Sequence, residues 1–101
     1  MTAADVVRVA RERGATVAVA ESLTGGALAS AIVEVPGASA VLRLGVVAYD
    51  TAMKASVLGV DAALLAERGA VDGDVAMQMA AGVRVLADVD GPATIGVATT
   101  G

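Results

Sequence analysis

Residues 16–26 read TVAVAESLTGG and join a short apolar run to a polar turn that carries two glycines. The apolar half, Thr16 to Ala20, is rich in β-branched residues and therefore fits a buried strand better than a helix. The polar half, Glu21 to Gly26, leads into Ala27 to Val35, an apolar segment that predicts a helix ending before Pro36. A strand, a turn and a helix in this order indicate one unit of an α/β protein.

The same alternation continues on both sides of this unit. Two further strands are predicted, at Val41 to Tyr49 and at Thr94 to Ala98. Apolar periodicity, glycine stops and the helix caps Asp61 and Asp72 predict four more helices. These helices cover Ala3 to Arg13, Thr51 to Leu58, Ala62 to Arg68 and Asp74 to Ala87, the last with an apolar face of Val75, Met79, Val83 and Leu86. Apolar strands between amphipathic helices predict an α/β fold in which helices cover the sheet.

The chain is very apolar but contains almost no aromatic residues. Hydrophobic residues make up 56% of the sequence, yet Tyr49 is the single aromatic side chain. A core of Ala, Val, Leu and Met buries little area per side chain, and each Å2 of apolar surface contributes only about 25 cal/mol. We therefore expect closely packed layers with small residues between helix and sheet, or burial against a partner subunit.

The absence of cysteine and histidine narrows the possible chemistry. It excludes disulfides, thiol nucleophiles, Ser–His triads and zinc sites built from His or Cys. The net charge of −4 and the scattered basic residues argue against nucleic acid as a partner. The sequence lacks both a signal-peptide pattern and an uncharged apolar run of about 18 residues, so we expect a cytoplasmic protein without a membrane partner.

The turn from Glu21 to Gly26 is the first candidate site. Gly25 and Gly26 allow the backbone to approach a ligand closely. Ser22 and Thr24 add hydroxyl groups, although the turn matches neither the P-loop nor the dinucleotide-binding fingerprint. Glu21, at the strand end, either binds a substrate hydroxyl or orients the loop. The alternative for the whole turn is that Ser22 and Thr24 are simple helix caps.

Tyr49 and Lys54 are the second candidate. They are the only tyrosine and the only lysine in the chain, and they lie at a strand end and in the next short helix. Such a turn can bring both side chains to the sheet edge where open α/β folds bind ligands. A nearby ammonium would favour the phenolate, and either group could then act as a base toward a hydroxyl. The alternative is that Tyr49 covers the core while Lys54 is a solvated helix residue.

Five short blocks follow one another along the chain in a recognisable order. The blocks are AESLTGG at 20–26, VPGAS at 35–39, GVVAY at 45–49 with Lys54, LGV at 58–60 and GAV at 69–71. Their order and spacing resemble those of the CinA C-terminal domain family. The resemblance covers nearly the whole chain, from the first helix to Gly101.

The resemblance implies a three-layer α/β/α domain with a mostly parallel central sheet, often assembled as a homodimer. It implies hydrolysis of the carboxamide of nicotinamide mononucleotide to nicotinate mononucleotide and ammonia, a step of pyridine nucleotide salvage, with no metal or cofactor required. Ser22, Tyr49 and Lys54 correspond to the proposed catalytic group of the family. The positions that correspond to ligand-binding residues are Thr24, Gly25, Gly26 and Thr100.

Amide hydrolysis requires a nucleophile, an oxyanion site and protonation of the departing ammonia. Without His or Cys, Ser22 activated by Tyr49 and Lys54 is the arrangement that this sequence suggests. Ser22 either forms a covalent intermediate or positions a water molecule. The main-chain amides near Thr24 to Gly26 bind either the developing oxyanion or the substrate phosphate.

The resemblance spans roughly the first two-thirds of the family domain. We therefore expect residues 1–101 to form a partial domain in which the C-terminal strand or strands and a helix of the family are missing. The rival hypothesis for such a chain is a catalytically inactive nucleotide-binding or dimerisation module. A third hypothesis is a structural scaffold without affinity for nucleotides.

Overall fold

The computed structural model describes residues 1–101 and is built around a parallel sheet of three strands. The strands are β1 (Val17–Glu21), β2 (Leu42–Val47) and β3 (Ile95–Ala98). β1 lies in the middle, where Ala18 is paired with Leu44 on one side and with Gly96 on the other. All three strands confirm segments that the apolar runs of the sequence predict.

Five α-helices flank the sheet, and none of them is long and apolar enough to cross a membrane. The helices are α1 (Ala3–Arg13), α2 (Ala27–Val33), α3 (Thr51–Ser56), α4 (Ala62–Arg68) and α5 (Gly73–Leu86), with a short 3-10 helix at Ala38–Ala40. The predicted caps are confirmed, since the Asp61 carboxylate accepts from the Ala63 amide and the Asp72 carboxylate from the Asp74 amide, both at 2.8 Å. These caps satisfy amides that have no partner within the helix.

The alternating side chains of β1 divide the core into two layers. Val17 and Val19 belong to a buried cluster with residues of α1 and α2. Ala18 and Ala20 belong to a second buried cluster with residues of α4 and α5. Successive side chains of a strand point to opposite faces, so helices cover the sheet on both sides. This confirms the predicted three-layer α/β/α architecture.

The apolar face of α5 contains three of its four predicted residues. Val75, Met79 and Val83 are completely buried, but Leu86 is 47% exposed, so its prediction as a core residue was wrong. Ala87 is buried instead, immediately after the helix. The reason is geometric, because a spacing of four residues continues the stripe that already runs through the three buried positions.

Small residues allow neighbouring backbones to approach closely, as the composition predicts. Gly82 on α5 lies against the main-chain carbonyl of Leu58, and Gly96 on β3 lies against the carbonyl of Ala80. A methyl group at either glycine would overlap the facing carbonyl oxygen. The sheet and the segment before α4 therefore pack against α5 at backbone distance, which leaves little freedom in their spacing.

We predict that Gly82→Ala destabilises the protein by about 1–3 kcal/mol, since the added Cβ forces an already filled contact apart. Gly73→Ala is the matched control, because Gly73 lies in the same helix with open space beside it. There, alanine should be neutral or stabilising by up to about 1 kcal/mol through its helix propensity. Urea unfolding followed by circular dichroism measures both changes. Equal stability of the two variants would contradict the close contact at Gly82.

Candidate active site

Three loops meet at the carboxyl edge of the sheet. The turn at residues 22–26 follows β1, the loop that begins at Ala48 follows β2, and Thr99 follows β3. Main-chain hydrogen bonds join them: the Ala48 amide donates to the Glu21 carbonyl oxygen at 2.8 Å, and the Thr99 amide donates to that of Ala20 at 3.0 Å. Because the strands are parallel, their ends lie side by side at the edge where open α/β sheets bind ligands.

Lys54 on α3 is buried beneath these loops, with only 1% of its surface exposed. Its Nζ donates hydrogen bonds to Ser22 Oγ at 2.9 Å, to the Ala48 carbonyl oxygen at 2.8 Å and to that of Tyr49 at 3.1 Å. Burial lowers the pKa of Lys54 below its usual value of 10.5, and the Asp50 carboxylate offsets part of this effect. The Lys54 amine therefore loses its proton more readily than the amine of a solvated lysine, and it does so next to a serine hydroxyl.

Ser22 provides the only side-chain hydroxyl that the buried amine contacts, and it is itself buried. When Lys54 is protonated, Ser22 Oγ accepts the hydrogen bond and its own proton is available to another acceptor. When Lys54 is neutral, the direction can reverse and the amine can accept the serine proton. The alternative that Ser22 and Thr24 cap α2 is wrong, because the N-cap position of that helix is Gly26 and no side chain donates or accepts a capping hydrogen bond there.

Tyr49 contacts the Lys54 amine through its main-chain carbonyl oxygen. The residue as a whole is nevertheless 73% exposed. The alternative in which Tyr49 covers the core and Lys54 is solvated is therefore wrong on both counts. Tyr49 and Lys54 nevertheless line the same open cleft, which has a volume of about 460 Å3. The other residues that line it are Ser22, Asp50, Thr51, Ala70 and Gly101. A role for the Tyr49 phenol as a base stays a prediction.

Glu21 is a second buried ionisable residue at the end of β1. Its two carboxylate oxygens accept hydrogen bonds from the amides of Leu28 at 2.9 Å and Ala29 at 3.0 Å, in the first turn of α2. Burial alone would raise the pKa of Glu21, but these hydrogen bonds outweigh burial and hold the pKa below its usual 4.5. Substrate binding by Glu21 stays a prediction, while these contacts favour its role in orienting the loop.

Threonine hydroxyls connect the loops around the cleft. Thr24 Oγ1 lies 2.9 Å from Thr99 Oγ1, which joins the turn after β1 to the segment after β3. Thr100 Oγ1 donates a hydrogen bond to the Ala70 carbonyl oxygen at 2.7 Å and joins that segment to the loop between α4 and α5. Ligand binding by Thr24 and Thr100 stays a prediction. In the structure, both hydroxyls form hydrogen bonds within the protein.

Gly25 and Gly26 form the sharp entry into α2. Their φ angles are +61° and +105°, a conformation that residues with a Cβ rarely adopt. At Gly26, an added Cβ would also contact the Val47 side chain at 3.8 Å. The two glycines therefore have a conformational reason to be present, and their predicted contact with a ligand stays a prediction.

Four residues that line the cleft are missing from the sequence-based candidates: Asp50, Thr51, Ala70 and Gly101. Asp50 carries a detectable signal, since its carboxylate caps α3 by accepting from the Ala52 amide at 2.8 Å. Ala70 carries none, because its contribution is a main-chain carbonyl that any residue type would supply.

These features define an α/β protein with a buried serine–lysine pair at the carboxyl edge of its sheet. The chain belongs to the CinA C-terminal domain family, since the model of that family matches residues 1–101. The family that the five sequence blocks resemble is thereby confirmed.

Proteins related in sequence extend well beyond the matched region. A CinA-like protein of Frankia casuarinae is 57% identical over 90 residues, which are 89% of this chain and 20% of the relative. A CinA-like protein of a Synechococcus species is 53% identical over 100 residues, which are 98% of this chain and 24% of the relative. The chain thus spans about a fifth of the length of the curated relatives that it matches.

Solved structures of the same superfamily share the fold. The competence/damage inducible protein CihA from Agrobacterium tumefaciens gives a TM-score of 0.77 at 40% identity, over 80% of this chain and 49% of that protein. The competence damage-inducible protein A from Klebsiella pneumoniae gives a TM-score of 0.78 at 31% identity, over 85% and 56% respectively. These similarities agree with the α/β architecture described above.

We predict that Glu21→Gln lowers the free energy of unfolding at neutral pH by about 1–3 kcal/mol, because one part-buried amide of α2 loses its acceptor. The lowered pKa means that Glu21 contributes fully to stability above about pH 4.5 and loses this contribution as the pH falls through the folded-state pKa. The free energy of unfolding of the variant should therefore fall less steeply than that of the original protein as the pH is lowered below about 4.5.

Denaturant unfolding at pH 7 and at a series of pH values below 4.5 measures this difference. Glu67→Gln is the control, because Glu67 is exposed on α4. An acid limb that is equally steep in Glu21→Gln and in the original protein would contradict the assigned role of the carboxylate.

Proposed function

We propose that this chain carries the serine–lysine centre of an amidohydrolase that converts nicotinamide mononucleotide and water into nicotinate mononucleotide and ammonia. The observation that carries the proposal is the 2.9 Å contact between Lys54 Nζ and Ser22 Oγ beside the cleft. The resemblance of the five sequence blocks to the family supports the choice of substrate. The match to the family model places the chain in the CinA C-terminal domain family and does not by itself specify the substrate.

In the proposed reaction, the neutral Lys54 amine takes the proton of Ser22 Oγ while this oxygen attacks the carboxamide carbon. The resulting ammonium donates a proton to the departing nitrogen, and the C–N bond breaks. Ammonia leaves, and the acyl group stays behind as an ester of Ser22. Water then attacks this ester, with Lys54 again as the base. Nicotinate mononucleotide is released and the Ser22 hydroxyl is restored.

The surroundings of Lys54 support its assignment as the base. Burial lowers its pKa, so more free amine is available at a given pH than for a solvated lysine. The carbonyl oxygens of Ala48 and Tyr49 hold Nζ in place beside Ser22. The composition supports the same assignment, since the chain has no histidine to serve as an alternative base.

We predict that Ser22→Ala lowers the rate of ammonia release from nicotinamide mononucleotide by a factor of about 10^2–10^4, because the attacking oxygen is lost. Ser30→Ala is the matched control, since Ser30 is an exposed hydroxyl on α2, away from the cleft. A coupled ammonia assay on both purified variants measures the effect. A Ser22→Ala rate within about ten-fold of the original would remove Ser22 from the chemistry.

We predict that kcat/KM of the original protein rises with pH through the pKa of Lys54, because only the neutral amine accepts the serine proton. Lys54→Arg keeps hydrogen-bond donors and charge at this position but cannot act as a base at these pH values. It should lose both the activity and the rising limb of the pH profile. A Lys54→Arg variant that retains this limb would contradict the assignment of the base.

Isothermal titration with nicotinamide mononucleotide separates the proposed enzyme from its rivals. Binding together with ammonia release that depends on Ser22 supports the amidohydrolase. Binding without ammonia release supports a catalytically inactive nucleotide-binding module. Absence of both binding and turnover supports the structural scaffold.

A further inference from the structure

Tyr49 occupies an unusual place for the only aromatic residue of a protein. Aromatic side chains bury large apolar areas and usually contribute to cores and interfaces. Here the core is built without one, and Tyr49 remains 73% exposed at the cleft that also contains Ser22 and Lys54. None of the hydrogen bonds of the structure uses the phenolic oxygen, so no polar contact explains its position.

Hydrogen bonds hold the main chain at Tyr49 and at the residues on both sides of it. Its own carbonyl oxygen accepts from Lys54 Nζ at 3.1 Å, and that of Ala48 accepts from the same atom at 2.8 Å. The next residue, Asp50, caps α3 through the Ala52 amide at 2.8 Å. The ring therefore rotates about two side-chain bonds on a fixed backbone, and ordering it against a ligand costs little conformational entropy.

The remaining lining of the cleft offers no second surface for a flat apolar ligand. Asp50 and Thr51 are polar, Ser22 and Lys54 are engaged with each other, and Ala70 and Gly101 are small. A planar ring that places its carboxamide near Ser22 thus has one large apolar side chain available in the cleft, that of Tyr49. Rings stack on such faces without requiring a particular hydrogen-bonding pattern.

We propose that the Tyr49 ring forms one wall of the substrate site and stacks against the planar heteroaromatic ring of a mononucleotide, so that Tyr49 is a binding and positioning residue and its hydroxyl is dispensable. This proposal rests on the proposed function for the identity of the ring. It differs from the sequence-based prediction that the phenol is a base. The carbonyl of Tyr49 positions Lys54, and the ring positions the ligand.

The single aromatic residue gives a direct readout by proton NMR, because all tyrosine ring signals of the protein belong to Tyr49. Nicotinate mononucleotide is the first probe, since it retains the ring and lacks the amide that is hydrolysed. Ribose 5-phosphate is the matched probe without a ring. We expect upfield shifts of the Tyr49 ring protons with the nucleotide and not with ribose 5-phosphate. Nucleotide binding that leaves these signals unchanged would overturn the stacking proposal.

Substitution separates the ring from the hydroxyl. Tyr49→Phe should bind nicotinate mononucleotide within about three-fold of the original affinity, whereas Tyr49→Leu should lose about ten-fold, equivalent to about 1.4 kcal/mol. Affinity for ribose 5-phosphate should be the same in all three proteins. Because the residue is largely exposed, both variants should keep the fold, and circular dichroism checks this. A loss in Tyr49→Phe equal to that in Tyr49→Leu would assign the effect to the hydroxyl and overturn the proposal.

The failure of this proposal can be distinguished from that of the proposed function. Ring-dependent nucleotide binding without ammonia release would remove the amidohydrolase activity and leave the stacking role intact. Ammonia release with equal KM in Tyr49→Leu and in the original protein would remove the stacking role alone. No binding of nicotinate mononucleotide at any concentration, together with no ammonia release, would overturn both.

Discussion

The hydrogen bonds of the buried Lys54 amine hold the loops of the candidate site together. Its partners lie at the end of β1, in Ser22, and after β2, in the carbonyls of Ala48 and Tyr49. Removing an ammonium from water is costly unless its donors are paired, and here three acceptors pair it. The same burial lowers the pKa of the amine beside the hydroxyl that it contacts. One set of contacts therefore both orders the loops and prepares a proton transfer.

Glu21, at the end of β1, and Lys54, which contacts the next residue Ser22, are both buried, yet their partners give them different roles. Amide N–H groups surround the Glu21 carboxylate and keep its pKa low despite burial, so it holds the turn onto α2 as a stable anion. Lys54 has lost water and contacts a hydroxyl beside an open cleft, so its charged form is less favoured. The chemistry of the partners, more than burial itself, separates a structural ion from a reactive amine.

The scarcity of aromatic residues affects both the core and the site. Backbones of neighbouring elements approach each other at Gly82 and Gly96. The carbonyl oxygens of Leu58 and Ala80 fill the space that a side chain would occupy at these two positions. Such contacts leave little freedom in the spacing between the sheet and α5. The one aromatic side chain, that of Tyr49, is not needed for packing and lies instead at the cleft.

Local signals in the sequence determined the strands, the caps Asp61 and Asp72, and the bounds of α1 and α4, because periodicity and capping act over a few residues. The resemblance of short blocks to a family brought Ser22, Tyr49 and Lys54 to attention. Their arrangement was decided only by the tertiary structure: Lys54 became buried, Glu21 became the anchor of α2, and Leu86 stayed exposed. These outcomes depend on contacts between segments far apart in the chain, such as the one that joins α3 to the turn after β1. The Lys54 amine and the Glu21 carboxylate become buried and hydrogen-bonded only when the chain folds and brings these segments into contact.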